Sequence, residues 1–321
     1  MNLQKFLFLW MLIISVMMAF SSSSMLALWL CLEINMMSFI PLMNSKSMIS
    51  TESLTLYFII QTLASSIFIF SISFFLLSPT FFNQKMSFLI TLSMLIKLGA
   101  APFHFWLPQI SEGLTLMTFF MLTTIQKFIP LHILTFMDLH ILPLFILLSA
   151  AVGSWGGFVQ FSLRKILAFS SISHLSWMMS LIYATSNLWL IYLSVYVALI
   201  GLILLMLSMS LINFLNQMSS NFHNNYNMTL IISLLSLGGM PPFLGFFMKW
   251  MAMKVLMTHI IFLLIPLIIS SLINLYFYAR ILHPLMLKLY SKNKHTFSLN
   301  FPLTMMLTLQ TSSIFLLIPF I

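Results

Sequence analysis

Four ionisable residues stand inside long apolar runs of this sequence: Glu33, Lys97, Lys127 and Lys249. A charge at the centre of a membrane helix costs about 2.5–3.5 kcal/mol even on lenient insertion scales, so such groups mark ion and proton pathways. Glu33 is the only acid in mid-helix, and its near-face neighbours Trp29, Leu30, Met36 and Met37 offer it no partner. It either stays protonated or meets a cation on another helix. Lys97 directly precedes one glycine–proline interruption, Lys249 follows a second, and Lys127 lies well inside its own run. An ammonium taken out of water exchanges its proton more readily, which suits a proton carrier. The competing reading for each lysine is a side chain that snorkels to the membrane interface.

His174 adds a group that titrates near neutrality. It sits in Ser170-Ser171-Ile172-Ser173-His174-Leu175-Ser176, with Ser170 and Ser171 one turn back on its face. Such a stripe can hold water and relay protons, or simply supply helix–helix hydrogen bonds. His104 follows Pro102 and can cap carbonyls freed at the interruption. Other chemistries find no support. There is no phosphate loop, dinucleotide fingerprint, C-x-x-C or pair of catalytic carboxylates, and the spacing of His104, His132, His174 and His259 does not favour haem. No metal site is expected. The single cysteine, Cys31, allows no intramolecular disulfide.

The elements that carry these residues are membrane helices. Hydrophobic residues make up 61% of the 321 and charged ones 5%, where a soluble domain has about a quarter charged. Apolar runs are long rather than alternating, which excludes a barrel. Polar punctuation predicts eleven spans, at 3–22, 25–43, 53–77, 86–107, 112–136, 141–160, 163–184, 187–213, 228–257, 259–287 and 300–321. The first is expected to be an uncleaved span rather than a signal peptide, because another span follows at once. No basic run with interleaved aromatics exists, so the net charge of +9 does not indicate nucleic acid. Alternating the spans places Lys5, Lys46, Arg164, Lys165, Lys288, Lys292 and Lys294 on one side and Lys85 and Lys254 on the other. The positive-inside rule then puts the amino end on the cytoplasmic or matrix side and the carboxyl end opposite.

Two interruptions look alike: Leu98-Gly99-Ala100-Ala101-Pro102-Phe103-His104 in the fourth span and Leu237-Gly238-Gly239-Met240-Pro241-Pro242-Phe243-Leu244-Gly245 in the ninth. Glycine then proline opens the helical hydrogen-bond ladder, which lipid tolerates only where the backbone is packed in protein or lines a wet cavity. The two lie five spans apart, an odd number, as an inverted-topology repeat requires. Two unrelated kinks are the plainer alternative. The repeat reading divides the chain into a five-helix unit at 1–137, a second at 138–290, and a loop with a terminal helix at 291–321.

The run Leu95-Ile96-Lys97-Leu98-Gly99-Ala100-Ala101-Pro102-Phe103-His104-Phe105-Trp106 resembles the signature of the antiporter-like membrane subunits of respiratory complex I. So do Glu112-Gly113-Leu114-Thr115, the stretch from Ser162 to Leu175, Gly238-Gly239-Met240-Pro241-Pro242-Phe243-Leu244-Gly245-Phe246, and Leu32-Glu33-Ile34-Asn35. With the size and span number, the resemblance is to the animal mitochondrial members, and it runs from Glu33 to Arg280. It implies an all-α bundle of paired inverted five-helix repeats, each with a broken helix, plus one terminal span. Bacterial relatives carry three more amino-terminal helices, so contacts made by those are not carried over.

The implied function is proton translocation across the mitochondrial inner membrane within NADH:ubiquinone oxidoreductase. On this resemblance Glu33 and Lys97 form the charged pair of one half-channel, Lys127 leads to the centre and Lys249 belongs to the second. Lys165 and His174 lie on the connecting polar axis, and Gly99, Pro102, Gly238, Gly239, Pro241 and Pro242 make the helix breaks. NADH, FMN, iron–sulfur clusters and ubiquinone belong to other subunits. The partners are the other membrane-arm subunits and lipid. A free-standing cation/proton antiporter and a passive assembly subunit are the competing readings.

Overall fold

The computed structural model describes residues 3–45, 47–77, 83–137, 140–210, 214 and 224–292. The helices are α1 (Leu3–Ser21), α2 (Met25–Met43), α3 (Met48–Leu77), α4 (Asn83–Leu98), α5 (Trp106–Gly113), α6 (Leu116–Thr123) and α7 (Ile125–Leu134). They continue with α8 (Leu142–Phe158), α9 (Leu163–Tyr183), α10 (Leu188–Ser210), α11 (Asn224–Gly238), α12 (Leu244–His259) and α13 (Ile261–Lys292). The expected span at 300–321 lies outside the described residues, as do Lys46, Asp138 and Lys294.

Seven described stretches are by themselves long and apolar enough to cross a membrane: Gln4–Ser21, Met25–Met43, Met48–Phe74, Leu116–Leu134, Leu163–Tyr183, Leu188–Met209 and Ile261–Met286. Met86–Leu98 and Met228–Gly238 are shorter because each is cut at a glycine–proline break. Leu142–Phe158 is also short. Its final turn is held from α13, where the Arg280 guanidinium donates to the carbonyls of Phe158 (2.6 Å) and Gln160 (2.8 Å). A cation on the orphan carbonyls at a helix end stops the helix where the sequence alone would extend it to 160.

The fifth expected span, 112–136, is corrected in two ways. Glu112 and Gly113 belong to α5, the half-helix that restarts after the first break. The remainder is interrupted at Thr124, whose backbone leaves the helical region at φ −119, ψ −80. Thr123 and Thr124 both turn their hydroxyls onto the preceding turn, Thr124 Oγ1 donating to the Phe120 carbonyl at 2.6 Å. Such back-bonding competes with the ladder and bends helices. Thr115 caps α6, accepting from the Thr118 amide at 3.4 Å, which sets its start after Leu114.

The chain divides into two compact units, Met1–Ser149 and Ala150–Ile321. In the first, α7 packs against α1, α2 and α4 and so lies between the helices that carry Glu33 and Lys97. In the second, α9 packs against α10, α12 and α13, and 94% of its span is buried. A helix enclosed on all sides in a membrane protein has no lipid face to satisfy. Its many serines are affordable because each can return its hydroxyl to its own backbone.

Candidate functional site

Both breaks end their helices in the same way. At the first, the Gly99 amide donates to the Ile96 carbonyl (3.1 Å) and the Ala100 amide to Leu95 (3.0 Å). At the second, the Gly239 amide donates to Ser236 (3.1 Å) and the Met240 amide to Leu235 (3.2 Å). This is the Schellman pattern, which needs a left-handed residue just past the helix. Gly99 (φ +68) and Gly239 (φ +87) supply it. In each break a cis peptide follows three residues on, at Ala101–Pro102 and Pro241–Pro242. Gly238 is the last residue of α11, so the left-handed turn falls on Gly239.

A buried lysine lies in or beside each of these half-helix ends. Lys97 lies in the last turn of α4 and is 6% exposed. Lys249 projects from α12, is 4% exposed, and its Nζ donates to the Gly238 carbonyl at 2.7 Å. The carboxyl end of a helix carries partial negative charge and unpaired carbonyls, so it offsets an ammonium that water no longer solvates. The two sites differ in construction, since Lys97 stands in the last turn of the helix that breaks and Lys249 reaches back across the break to a carbonyl. The Gly239 position makes that reach possible, because a Cβ there would lie 2.9 Å from Lys249 Nζ.

Other groups complete the first break. The Trp106 indole donates to the Ile96 carbonyl at 3.2 Å, and Gln61 Nε2 makes a long 3.4 Å contact to the Lys97 carbonyl. His104 Nδ1 lies 3.2 Å from the Pro102 carbonyl, the capping role expected of it. Glu33 is half-buried on α2. Its field reaches Lys97, but among the described residues the two close no ion pair within 4.0 Å.

Lys127 is 3% exposed and occupies the first turn of α7, immediately after the Thr124 interruption. The amino end of a helix opposes a fixed positive charge. Pro130 has no amide hydrogen, so the Gln126 carbonyl beside Lys127 lacks its helical donor. Gln126 itself joins three helices: its Nε2 donates to Asn35 Oδ1 at 2.8 Å, and its Oε1 accepts from the Tyr57 hydroxyl at 3.2 Å. Asn35 is two residues from Glu33 on α2, so this chain ties the acid's helix to the helix of Lys127. Sequence reasoning missed Gln126, Tyr57 and Gln61, although an amide adjoining a buried lysine was a usable signal.

The serines of α9 return their hydroxyls to the helix's own backbone. Ser170, Ser171, Ser173, Ser176 and Ser180 each donate to the carbonyl three residues back, at 2.6–2.8 Å. Ser173 Oγ also accepts from Asn274 Nδ2 on α13 at 2.6 Å, the helix–helix alternative. His174 instead meets α10, with Nδ1 2.9 Å from Tyr192 Oη and its ring 5.1 Å from that of Tyr196. Lys165 is not brought to this cluster. It stands half-buried in the first turn of α9, nine residues before His174, or about 13.5 Å along the axis. Among the described residues no group of three or more His, Cys, Asp or Glu is placed to hold a metal ion.

Spanning helices broken at two glycine–proline turns, with a buried lysine in or beside each, agree with the resemblance to antiporter-like membrane subunits. The family model described as NADH:quinone oxidoreductase/Mrp antiporter, TM, matches residues 22–274. The chain belongs to this family. It is 39% identical over 305 residues to NADH-ubiquinone oxidoreductase chain 2 of Anopheles gambiae, covering 92% of this chain and 89% of that one. Its fold is similar to that of a chain in respiratory complex I from Thermus thermophilus with bound aureothin (TM-score 0.81, 20% identity, 97% and 78% of the two chains). It also resembles a chain of the Mrp complex from Dietzia sp. (TM-score 0.72, 15% identity, 84% and 58%).

Proposed function

We propose that this chain is a proton-translocating membrane-arm subunit of NADH:ubiquinone oxidoreductase in the mitochondrial inner membrane. The observation that carries the reading is the buried Lys249 ammonium held on the open carbonyl end of a broken helix. That site can bind a proton, and it can release one when the lysine leaves the carbonyl. The names and high mutual coverage of the animal relatives support placing it in the redox-driven enzyme. Glu33 and Lys97 act as the charged pair of one half-channel, Lys127 leads to the centre, and Lys249 serves the second. His174 lies on the polar axis between them, with Lys165 at its edge. NADH, FMN, iron–sulfur clusters and ubiquinone are held by other subunits.

The matching breaks support an inverted repeat of 1–137 and 138–290, with 291–321 outside it. The amino end then faces the matrix and the carboxyl end the intermembrane space. The common membrane family with Mrp antiporters keeps one second reading in view, an autonomous cation/proton antiporter. Native gels of solubilised inner membranes separate the two: a subunit migrates only with a species of several hundred kilodaltons, an autonomous antiporter as a small one. The role of Lys249 is tested by Lys249→Gln in the assembled enzyme. The expected result is a reduced proton-to-electron ratio or slowed turnover at unchanged assembly. Normal turnover with normal pumping refutes it.

A further inference from the structure

His174 is 1% exposed and Tyr192 is 2% exposed, and their 2.9 Å contact joins α9 to α10 in the interior of the second unit. The direction of this hydrogen bond follows from what surrounds the hydroxyl. Among the described residues, His174 Nδ1 is the hydrogen-bond partner of Tyr192 Oη. The Tyr196 and Tyr278 phenols also act on Tyr192 electrostatically without a hydrogen bond to it. The cleft that its ring borders is lined by Leu181, Leu188, Ile191, Val195 and Met248, none of which has a side chain that accepts from a phenol with useful strength. If Nδ1 carried the hydrogen and donated it, the phenol O–H would be buried with no acceptor, which folded proteins avoid. If the phenol donates, Nδ1 accepts and the phenol hydrogen is paired. An imidazole nitrogen is also a better acceptor than a phenol oxygen, and a phenol a better donor than a neutral imidazole.

We infer that Tyr192 is a positioning residue for His174: its hydroxyl donates to Nδ1, holds the imidazole as the Nε2–H tautomer, and so assigns the exchangeable proton to Nε2. The ring is thereby given a direction. Nδ1 accepts a proton only after the Tyr192 hydroxyl has turned away, so the α9–α10 contact decides when that nitrogen is open. Which ring nitrogen is protonated is set by the bond the other makes, and a buried tyrosine is a rigid donor for that purpose. The inference rests on the place of His174 in the proposed proton path. It adds to that reading a residue that does not itself carry the proton.

The test uses the intact enzyme in its membranes, with ¹⁵N-labelled histidine and redox-induced infrared difference spectra. The imidazole band of His174 is the one that disappears in His174→Gln. In the unaltered enzyme it should lie at the Nε2–H position. Tyr192→Phe removes one oxygen and keeps the ring, and should move the tautomer ratio roughly five- to tenfold toward Nδ1–H, the worth of one buried hydrogen bond. Turnover should fall while the amount of assembled enzyme holds. Tyr196→Phe leaves the Nδ1 bond in place and should leave the band where it is. A band at the Nδ1–H position in the unaltered enzyme overturns the inference, whether or not Tyr192→Phe assembles. So does an unmoved band in assembled Tyr192→Phe, or the loss of no band in His174→Gln. Failure of the underlying reading looks different: His174→Gln would then pump normally, while the tautomer still follows Tyr192.

Discussion

Replacing Gly239 by alanine perturbs the second break at one atom. Gly239 sits at φ +87, where an L-residue costs about 1–2 kcal/mol. Its new Cβ would lie 2.9 Å from Lys249 Nζ and 3.0 Å from Cδ, closer than real Cβ atoms stand, so the lysine must withdraw. Withdrawal breaks the 2.7 Å bond to the Gly238 carbonyl, and a hydrogen bond to a charged group contributes about 1.5–3 kcal/mol. The neighbouring substitution provides the control. A Cβ at Gly238 would meet Tyr278 Cδ2 at 3.4 Å, ordinary contact, and Gly238 is helical. Gly238→Ala should therefore be tolerated, whereas Gly239→Ala should reduce both assembly and the proton-to-electron ratio of what assembles. The assay quantifies assembled enzyme on native gels, NADH-driven quinone reduction and proton uptake in the same membranes. Equal behaviour of the two variants, or normal pumping by Gly239→Ala, would show that neither the left-handed turn nor the lysine–carbonyl contact matters to the mechanism.

Three further outcomes are expected. Glu33→Gln removes the charge whose field reaches Lys97 but keeps the side-chain shape, so the enzyme should assemble yet pump fewer protons per electron pair or turn over several-fold more slowly; unchanged pumping rejects a switching role for the pair. Gln126→Leu strands the Tyr57 hydroxyl and Asn35, and should destabilise the first unit by about 1–3 kcal/mol, read as a lower melting temperature of the assembled enzyme. An unaltered melting temperature would mean that another group takes up those partners. In mitoplasts a tag at Ile321 should be cut by external protease and one at Asn2 protected, and the reverse pattern would discard the proposed orientation.

Much of the helix layout is legible without coordinates, and the reasons are local. α2 coincides with the expected 25–43 because Ser24 caps its start, accepting from the Ala27 amide at 3.3 Å, and Asn44 ends it. α1 and α9 end within one residue of expectation and α10 starts within one residue of it, since serine or asparagine punctuates the sequence at or near each of these ends. The breaks were legible for the same reason: at Gly99–Pro102 and Gly239–Pro242 a glycine free to turn left-handed is followed within three residues by a proline that lacks an amide hydrogen, a combination that strongly disfavours continuing the helix. Thr124 was not legible. Threonine is ordinary within a helix, and only the adjoining hydroxyls returning to Phe119 and Phe120 make it a point of interruption.

The candidate site divides along a similar line. Glu33, Lys97, Lys127, Lys249 and His174 stand out in sequence because a charge or imidazole amid apolar residues is expensive wherever the helix packs, so its presence alone signals a use. Three of these are lysines less than a tenth exposed, at a helix end, after an interruption, or beside a break. What each one touches is a tertiary matter. Lys249 and Gly238 are 11 residues apart, Asn35 and Gln126 are 91 apart, and His174 and Tyr192 come from neighbouring helices whose facing sides no periodicity reveals. In an apolar chain the hydrophobic pattern is nearly uniform around each helix, so it states that a helix is buried but not against what. The sequence determined that this chain lives in a membrane, where its helices break, and which side chains are too costly to be idle. The tertiary structure decided which carbonyl, hydroxyl or amide each of them meets, because hydrogen bonds of under 3 Å depend on helix rotation, which composition does not encode.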